Sequence, residues 1–441
     1  MYLAKIIKSV NHTYIYDALN NKFALLQSEE DIYNKDKYKT FLAENDFRDI
    51  TKPCEFDIKY PYSEEELKKM YTTNVKSMTL ALTEQCNLRC KYCGYMPKYL
   101  DENYTLKEMP ADIAFKAIDI LMKNSHESEI CHVGFYGGEP LLRLDLIKAC
   151  VAYIKEKYPF RKPAYNLTTN AVLLDESVAD FLIENDIKII ISFDGPKPQL
   201  NKYRVFPNGE SSFDIVYKNI HMLYQKNPKY FRESVTYNVV MYNGASRELF
   251  EAVDALWKSN VNMIDLFQTD YFMQVRDKSD LSTLKTEKID IKSYDFAYKA
   301  MLKNMKKYYN SFRGTEGGNI ILPGGFCIAG VRKNFVTTDG KIVVCEKVDE
   351  SREIYEIGDV DNGIDIKKVE RLISYTLQKL EKCKKCWAAK FCKVCFKDIT
   401  NINDEFCNKA RNDVERELRY YFNQISCDRE LINYISNISL I

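Results

Sequence analysis

Three cysteines set the first expectation. Cys86, Cys90 and Cys93 stand in C-x3-C-x2-C spacing within Leu82–Tyr95 (LTEQCNLRCKYCGY), directly after the apolar, β-rich run MTLALT. Three thiolates on so short a loop can each take one iron of a cubane cluster and leave the fourth iron without a protein ligand. An open coordination site is where metal centres do chemistry. A zinc ion would need a fourth donor, and no further Cys or His lies close by in the sequence. Seven more cysteines gather toward the other end of the chain: Cys327 and Cys345 as C-x12-G-x4-C, then Cys383, Cys386, Cys392 and Cys395 as C-x2-C-x5-C-x2-C, then Cys407. C-x2-C pairs also build zinc ribbons, although two such zincs need eight ligands. Cys54, Cys131 and Cys150 read as buried thiols used for packing.

Composition narrows the class. The chain has 441 residues, 46% hydrophobic and 29% charged, with a net charge of +1. That is room for two or three globular domains, with no global field directed at nucleic acid or an anionic membrane. The start, MYLAKIIKSV, lacks the apolar core of a signal peptide, and no run of about 18 apolar residues marks a membrane span. Cytoplasmic thiolates are therefore expected rather than disulfides. The four histidines (His12, His126, His132, His221) show no ligand spacing, so the chemistry falls to cysteine.

The elements that must position these residues fall into three segments. Residues 1–75 read as a small module of three short strands followed by a helix near Glu29–Glu44. Residues 76–310 alternate strands (Met78–Thr83, His132–Tyr136, Tyr165–Thr169, Lys188–Phe193, Val235–Val240, Met263–Gln268) with helices (Ala111–Lys123, Leu144–Lys157, Ser177–Glu184, Phe213–Tyr224, Arg247–Ser259), ending in a Lys- and Tyr-rich helical connection. That alternation predicts parallel βα units with a site at the carboxyl ends of the strands. Residues 311–441 carry the cysteine array, a hairpin across Val336–Val344 around Thr338-Asp339-Gly340, and a C-terminal helix.

The cysteine loop, with aromatic Tyr92 before its last cysteine, resembles that of the radical S-adenosylmethionine (SAM) superfamily. Other runs in the expected order strengthen the resemblance: Tyr136-Gly137-Gly138-Glu139-Pro140 after strand two, Thr168-Thr169-Asn170 after strand three, and Ile191-Ser192-Phe193-Asp194-Gly195-Pro196 at the end of strand four. The likeness implies an α/β fold, a partial (β/α)6 barrel. It also implies SAM contacts from Tyr92, Gly137, Gly138, Glu139, Pro140, Thr168, Asn170, Ser192 and Arg204, with Leu266 either touching adenine or serving the core. Two departures stand out: Ala171 replaces a usual glycine, and Asn201-Lys202 replace a usual His-Asp pair.

The C-terminal array is similar to the SPASM domain of peptide and sulfatase maturases, which holds two auxiliary iron–sulfur clusters. The resemblance assigns Cys383, Cys386, Cys392 and Cys407 to one cluster. Cys327, Cys345 and Cys395 go to the other, leaving an iron open to water, a carboxylate, a borrowed Cys427 or a substrate thiolate. Three [4Fe-4S] clusters and SAM are thus the implied cofactors. Glu346, beside Cys345, stands where sulfatase maturases have a catalytic Asp; it reads as a general base or as a plain surface carboxylate. The N-terminal strands resemble a leader-recognition module, with a cap on the barrel as the alternative. The implied reaction is hydrogen abstraction from a ribosomal precursor peptide by a 5′-deoxyadenosyl radical, most directly to form a Cys thioether. Alternatives are a carbon–carbon or other side-chain cross-link, formylglycine formation on a sulfatase, and, from a different class, a non-catalytic iron–sulfur or zinc module. A flavodoxin- or ferredoxin-type electron donor is expected, and neither nucleic acid nor membrane.

Overall fold

The structure is a computed structural model that describes residues 3–9, 12–19, 21–26, 40, 43–44, 55–101, 104–195, 198–240, 251, 263–265, 320–323 and 326–427. Except for residues 40, 43–44 and 251, the expected helices over 29–44 and 247–259 lie outside these residues, as do the connection after residue 276, Cys54, Leu266 and the side chain of Cys427.

Alternation of apolar and polar residues builds the central sheet. Strands β5 (Ser77–Thr83), β6 (His132–Gly137), β7 (Ala164–Thr169), β8 (Lys188–Ser192), β9 (Val235–Val240) and β10 (Met263–Asp265) lie side by side in chain order, all parallel. One face is a continuous core of Leu80, Val133, Phe135, Leu167, Ile189, Ile191 and Tyr237. Helices α3 (Ala111–Lys123), α4 (Leu144–Lys157), α5 (Glu176–Glu184) and α6 (Phe213–Lys226) bury their apolar stripes in that core. The other face carries Thr79, Gly134, Asn166, Thr168, Ser192 and Asn238. A Cβ on Gly134 would meet Thr79 Oγ1 at 2.8 Å and Asn166 Oδ1 at 3.0 Å, so these three share one crowded surface. A closed barrel fills its interior with branched aliphatics; here that face is largely polar.

The C-terminal region continues the same sheet. β12 (Phe335–Val336) pairs in parallel with β5, and β13 (Lys341–Val343), β14 (Glu356–Asp359) and β15 (Gly363–Ile364) follow antiparallel, giving ten strands. The hairpin expected around Asp339-Gly340 is the β12–β13 turn, where Gly340 takes φ +87°, a backbone suited to glycine. Four helices are absent from the sequence reading: α1 (Glu64–Thr73), started by a Ser63–Glu66 capping box, α2 (Met96–Leu100), α7 (Pro228–Ser234), and α8 (Ile366–Lys379), capped by Asp365.

The N-terminal strands β1 (Ala4–Lys8), β2 (Thr13–Asp17) and β3 (Lys22–Leu26) form an antiparallel meander, matching the three expected. Among the described residues, their core is distinct from that of the barrel. Leu3, Ile7, Tyr14, Tyr16 and Leu19 share a second core with Trp387, Phe391 and Val394 of the cysteine segment and with Leu418 and Phe422 of α9 (Asp404–Cys427). Tyr14 stacks on Phe422 at 4.3 Å. Nearby, β4 (Asp57–Ile58) pairs with β11 (Ile320–Ile321). Among the described residues no helix is long and apolar enough to cross a membrane.

Candidate active site

The cysteine loop leaves the carboxyl end of β5 and is held by its neighbours before any ligand is considered. Gly138 N–H donates to the Thr83 carbonyl at 2.7 Å, and Glu139 N–H to the Gln85 carbonyl at 2.8 Å. This approach is possible only without side chains. A Cβ on Gly137, where φ is +128°, would stand 2.3 Å from the Thr83 oxygen, and one on Gly138 would stand 2.2 Å from the Gln85 oxygen. Gly138→Ala must push the loop away, and overpacking of this kind costs about 1–3 kcal/mol. The variant is expected to keep its far-UV circular dichroism and lose most of the iron bound to this loop, measured per chain after anaerobic purification.

Within the loop the thiols are close enough to repel one another's ionisation. Burial pushes Cys86 up to about 12 and Cys90 up to about 11, and raises Cys93; Cys86 also faces Cys90 and Cys93. Backbone N–H groups already point at sulfur: Leu88 to Cys86 and Tyr95 to Cys93, each at 3.4 Å. Asn170 Nδ2 donates to Asn87 Oδ1 at 2.8 Å and reaches Cys86 Sγ at 3.7 Å. Asn87 Nδ2 is buried without a hydrogen-bond partner, a cost that an acceptor bound at the loop would remove. Among the described residues no three His, Cys, Asp or Glu side chains meet at single-ion distance. Thiols grouped but spread in this way suit separate corners of a polynuclear cluster, and that donor set fits an iron–sulfur group.

Glu139 is fully buried. Its Oε1 accepts from Thr169 Oγ1 (2.7 Å) and Leu141 N–H (3.0 Å), and its Oε2 from Asn170 N–H (2.8 Å). The carboxylate spends most of its acceptor capacity inside the protein. It ties the ends of β6 and β7 together, and the backbone of Gly137 and Gly138 is what the run presents at the loop. Asn170 also fixes the next turn, accepting from Val172 N–H at 3.0 Å. There Ala171, in place of the usual glycine, adopts φ +59°.

A buried triad closes the other side. Tyr92 OH donates to Asp194 Oδ2 at 2.6 Å and accepts from Arg204 Nη1 at 2.7 Å. Asp194 also accepts from Val240 N–H at 3.1 Å. Burial raises the Asp194 carboxyl and the Arg204 guanidinium opposes it; Arg204 also faces Cys90. Asn201 Oδ1 accepts from Asp194 N–H at 3.0 Å, and its Nδ2 donates to the Gly195 carbonyl. The residue that departs from the usual His-Asp pair thus braces the turn. Ser192 lies beside Asn238 in register, whose Oδ1 is a buried acceptor without a hydrogen-bond partner.

The C-terminal thiols fall into two groups. Cys383 faces Cys386, Cys392 and Cys407. Cys345 faces Cys327, and Cys395 faces Cys345. Burial pushes Cys345 and Cys392 up to about 11 and Cys395 up to about 12. Cys131 and Cys150 are buried in the barrel core. Glu346 accepts from Lys333 Nζ at 2.8 Å in a partly exposed ion pair. Sequence reading missed Asn87, Asp194, Asn201 and Asn238. Asp194 stood inside a quoted run, but that its carboxylate would meet Tyr92 depended on tertiary placement.

Residues 80–256 match the Radical SAM superfamily. The cysteine-type anaerobic sulfatase-maturating enzyme of Clostridium novyi is 30% identical over 164 residues, 35% of this chain and 43% of that protein. The radical SAM cyclopropyl synthase TigE of Paramaledivibacter caminithermalis is 22% identical over 265 residues, 56% of this chain and 51% of its own length. The chain spans about half the length of the first curated relatives it matches. Among solved structures, native anSMEcpe with bound AdoMet and Cp18Cys peptide shares the fold with a TM-score of 0.53 at 20% identity, over 82% of this chain and 100% of that one.

Proposed function

We propose, on the premise that this chain carries a radical SAM domain over residues 80–256, that it cleaves SAM and modifies a ribosomally made precursor peptide by closing a Cys thioether. One observation carries the reading: the Cys86–Cys93 loop, the Gly137–Gly138 backbone and the Tyr92–Asp194–Arg204 triad converge at the carboxyl end of one parallel sheet.

In this reading Cys86, Cys90 and Cys93 hold the SAM-cleaving [4Fe-4S] cluster. Cys383, Cys386, Cys392 and Cys407 hold a second cluster, and Cys327, Cys345 and Cys395 a third with an open iron. A bound cluster and SAM would supply the radical chemistry that removes hydrogen from carbon. The chain's own share is placement. Gly137 and Gly138 let the ligand approach the backbone, Ser192 and Thr168 offer hydroxyls on the polar face, and Arg204 brings a fixed cation. Thioether closure removes one hydrogen atom from carbon, and a proton and an electron from the thiol. Glu346, bonded to Lys333 Nζ and next to Cys345, would accept that proton; the auxiliary clusters, when bound, would accept the electron, and a flavodoxin- or ferredoxin-type partner would donate the electron that SAM cleavage consumes. Support for a peptide substrate comes from the N-terminal meander β1–β3, which resembles a leader-recognition module that binds a peptide as an added strand. The peptide-bound anSMEcpe fold points the same way.

Formylglycine formation is the second reading, favoured by the sulfatase-maturating relative. Reduced, anaerobically purified protein with SAM and cysteine-containing peptides separates the two. A thioether product loses two hydrogens, keeps its sulfur and resists alkylation. Formylglycine made from cysteine releases the sulfur and gains an aldehyde. Absence of SAM cleavage under every reductant tried would overturn both.

A further inference from the structure

We propose that Lys98 is a positioning residue that clasps the SAM-cluster loop to the Cys345 loop and so fixes the separation of the two thiol groups; the inference rests on the cluster assignment above. Lys98 lies on the short helix α2 (Met96–Leu100), which directly follows the cysteine triplet. Its Nζ donates to Glu84 Oε1 at 2.6 Å and to Glu350 Oε1 at 2.8 Å. Glu84 precedes Cys86 by two positions and Glu350 follows Cys345 by five. One ammonium therefore joins the entry of the first loop to the exit of the second.

The site is built for this. Glu84 is 4% exposed and also accepts from Tyr104 OH at 3.0 Å and Lys107 N–H at 2.9 Å. Tyr99 OH donates to the Glu84 carbonyl at 2.9 Å. The rings of Tyr95 and Tyr104 flank the ammonium at 5.2 and 5.4 Å. A shielded cation between two carboxylates and two aromatic faces is held far more firmly than a surface pair. Its placement bears on chemistry. Tyr95, whose N–H points at Cys93 Sγ at 3.4 Å, lays its ring against the same ammonium that bonds Glu350, so the clasp borders the Cys93 side of the first loop and the exit of the Cys345 loop. Electron transfer between the two loops falls steeply with distance, and a substrate held between them must be gripped from both sides.

The asymmetry of the cage gives a clean variant. Glu84 keeps two other donors to its carboxylate, whereas the Lys98–Glu350 bond is the part of the cage that crosses between the loops. Glu350→Gln should weaken the crossing and leave the Glu84 cage whole. Lys98→Met removes both bonds, and Lys98→Arg retains a cation that can bridge. In anaerobically reconstituted full-length protein, iron content is measured first. The dipolar coupling between the reduced SAM cluster and the Cys345-side cluster is then measured by pulsed electron paramagnetic resonance. Iron is expected at the wild-type level in Glu350→Gln and Lys98→Arg. The inter-cluster distance distribution should be about twofold broader in Glu350→Gln, as loops freed to shift by about 1–2 Å would give, and of wild-type width in Lys98→Arg. Lys98→Met should match or exceed Glu350→Gln if it folds. A wild-type distribution in Glu350→Gln with iron intact would overturn the clasp alone. Wild-type protein with iron for a single cluster would overturn the cluster assignment, and the clasp with it.

Discussion

Alanine at Cys86, Cys90 and Cys93 together should remove about four of about twelve irons per chain and abolish release of 5′-deoxyadenosine from SAM under dithionite. The thiols of this loop face one another and are separate from the groups around Cys383 and Cys345, so the remaining two-thirds of the iron should stay. Fold is expected to survive, because the loop's neighbours are held by backbone bonds from Gly138 and Glu139 rather than by the sulfurs. Iron, acid-labile sulfide and circular dichroism on the same sample check the three statements. Persistent SAM cleavage in the triple variant would remove Cys86, Cys90 and Cys93 from the active site. Zinc in place of iron in the wild type would return the zinc-ribbon alternative.

Arg204→Met is expected to be among the most destabilising single changes in the barrel. Asp194 is 1% exposed and Arg204 supplies the cation opposing its burial, with Tyr92 OH bonded to both. Removing one partner of such a buried set costs about 3–5 kcal/mol, because the other charge is left without compensation. Urea unfolding of the chain should show a midpoint lowered accordingly. The Arg204→Met, Asp194→Asn double variant should regain part of the loss, since an amide is cheaper to bury than an unpaired carboxylate. If the single variant unfolds like the wild type, Arg204 does not hold the triad. SAM affinity, read by equilibrium dialysis, should fall in both variants if Arg204 also meets the ligand.

How much of this was legible depends on the range of the interaction. Strands β5–β9 and helices α3–α6 were readable to within a residue or two, because apolar periodicity is local and buried parallel strands impose it. The cysteine runs were readable because cluster ligands must recur at fixed short spacing. The helix Glu64–Thr73 was not read, although its Ser63–Glu66 capping box was a usable signal. No local pattern announces that β12 will add to β5, or that Tyr92 will meet Asp194 and Arg204. Lys98 was hidden for the same reason. In sequence it is one of many lysines among acids, and only tertiary placement brings it between Glu84 and Glu350.

The packing of Tyr14 on Phe422 bears on how the protein is made. The first strands leave the ribosome with half of their hydrophobic core missing, and the complementary half arrives roughly 400 residues later. Non-local closure of this kind is slow and leaves apolar surface waiting. Trp387, Phe391 and Val394, which complete that core, are interleaved with Cys383, Cys386 and Cys392. Those three thiols can take their final places only once the two ends of the chain have met. A metal held by those thiols would therefore load late in biosynthesis, whereas one held by the Cys86 loop, built on early, local strands, could load while synthesis is still under way.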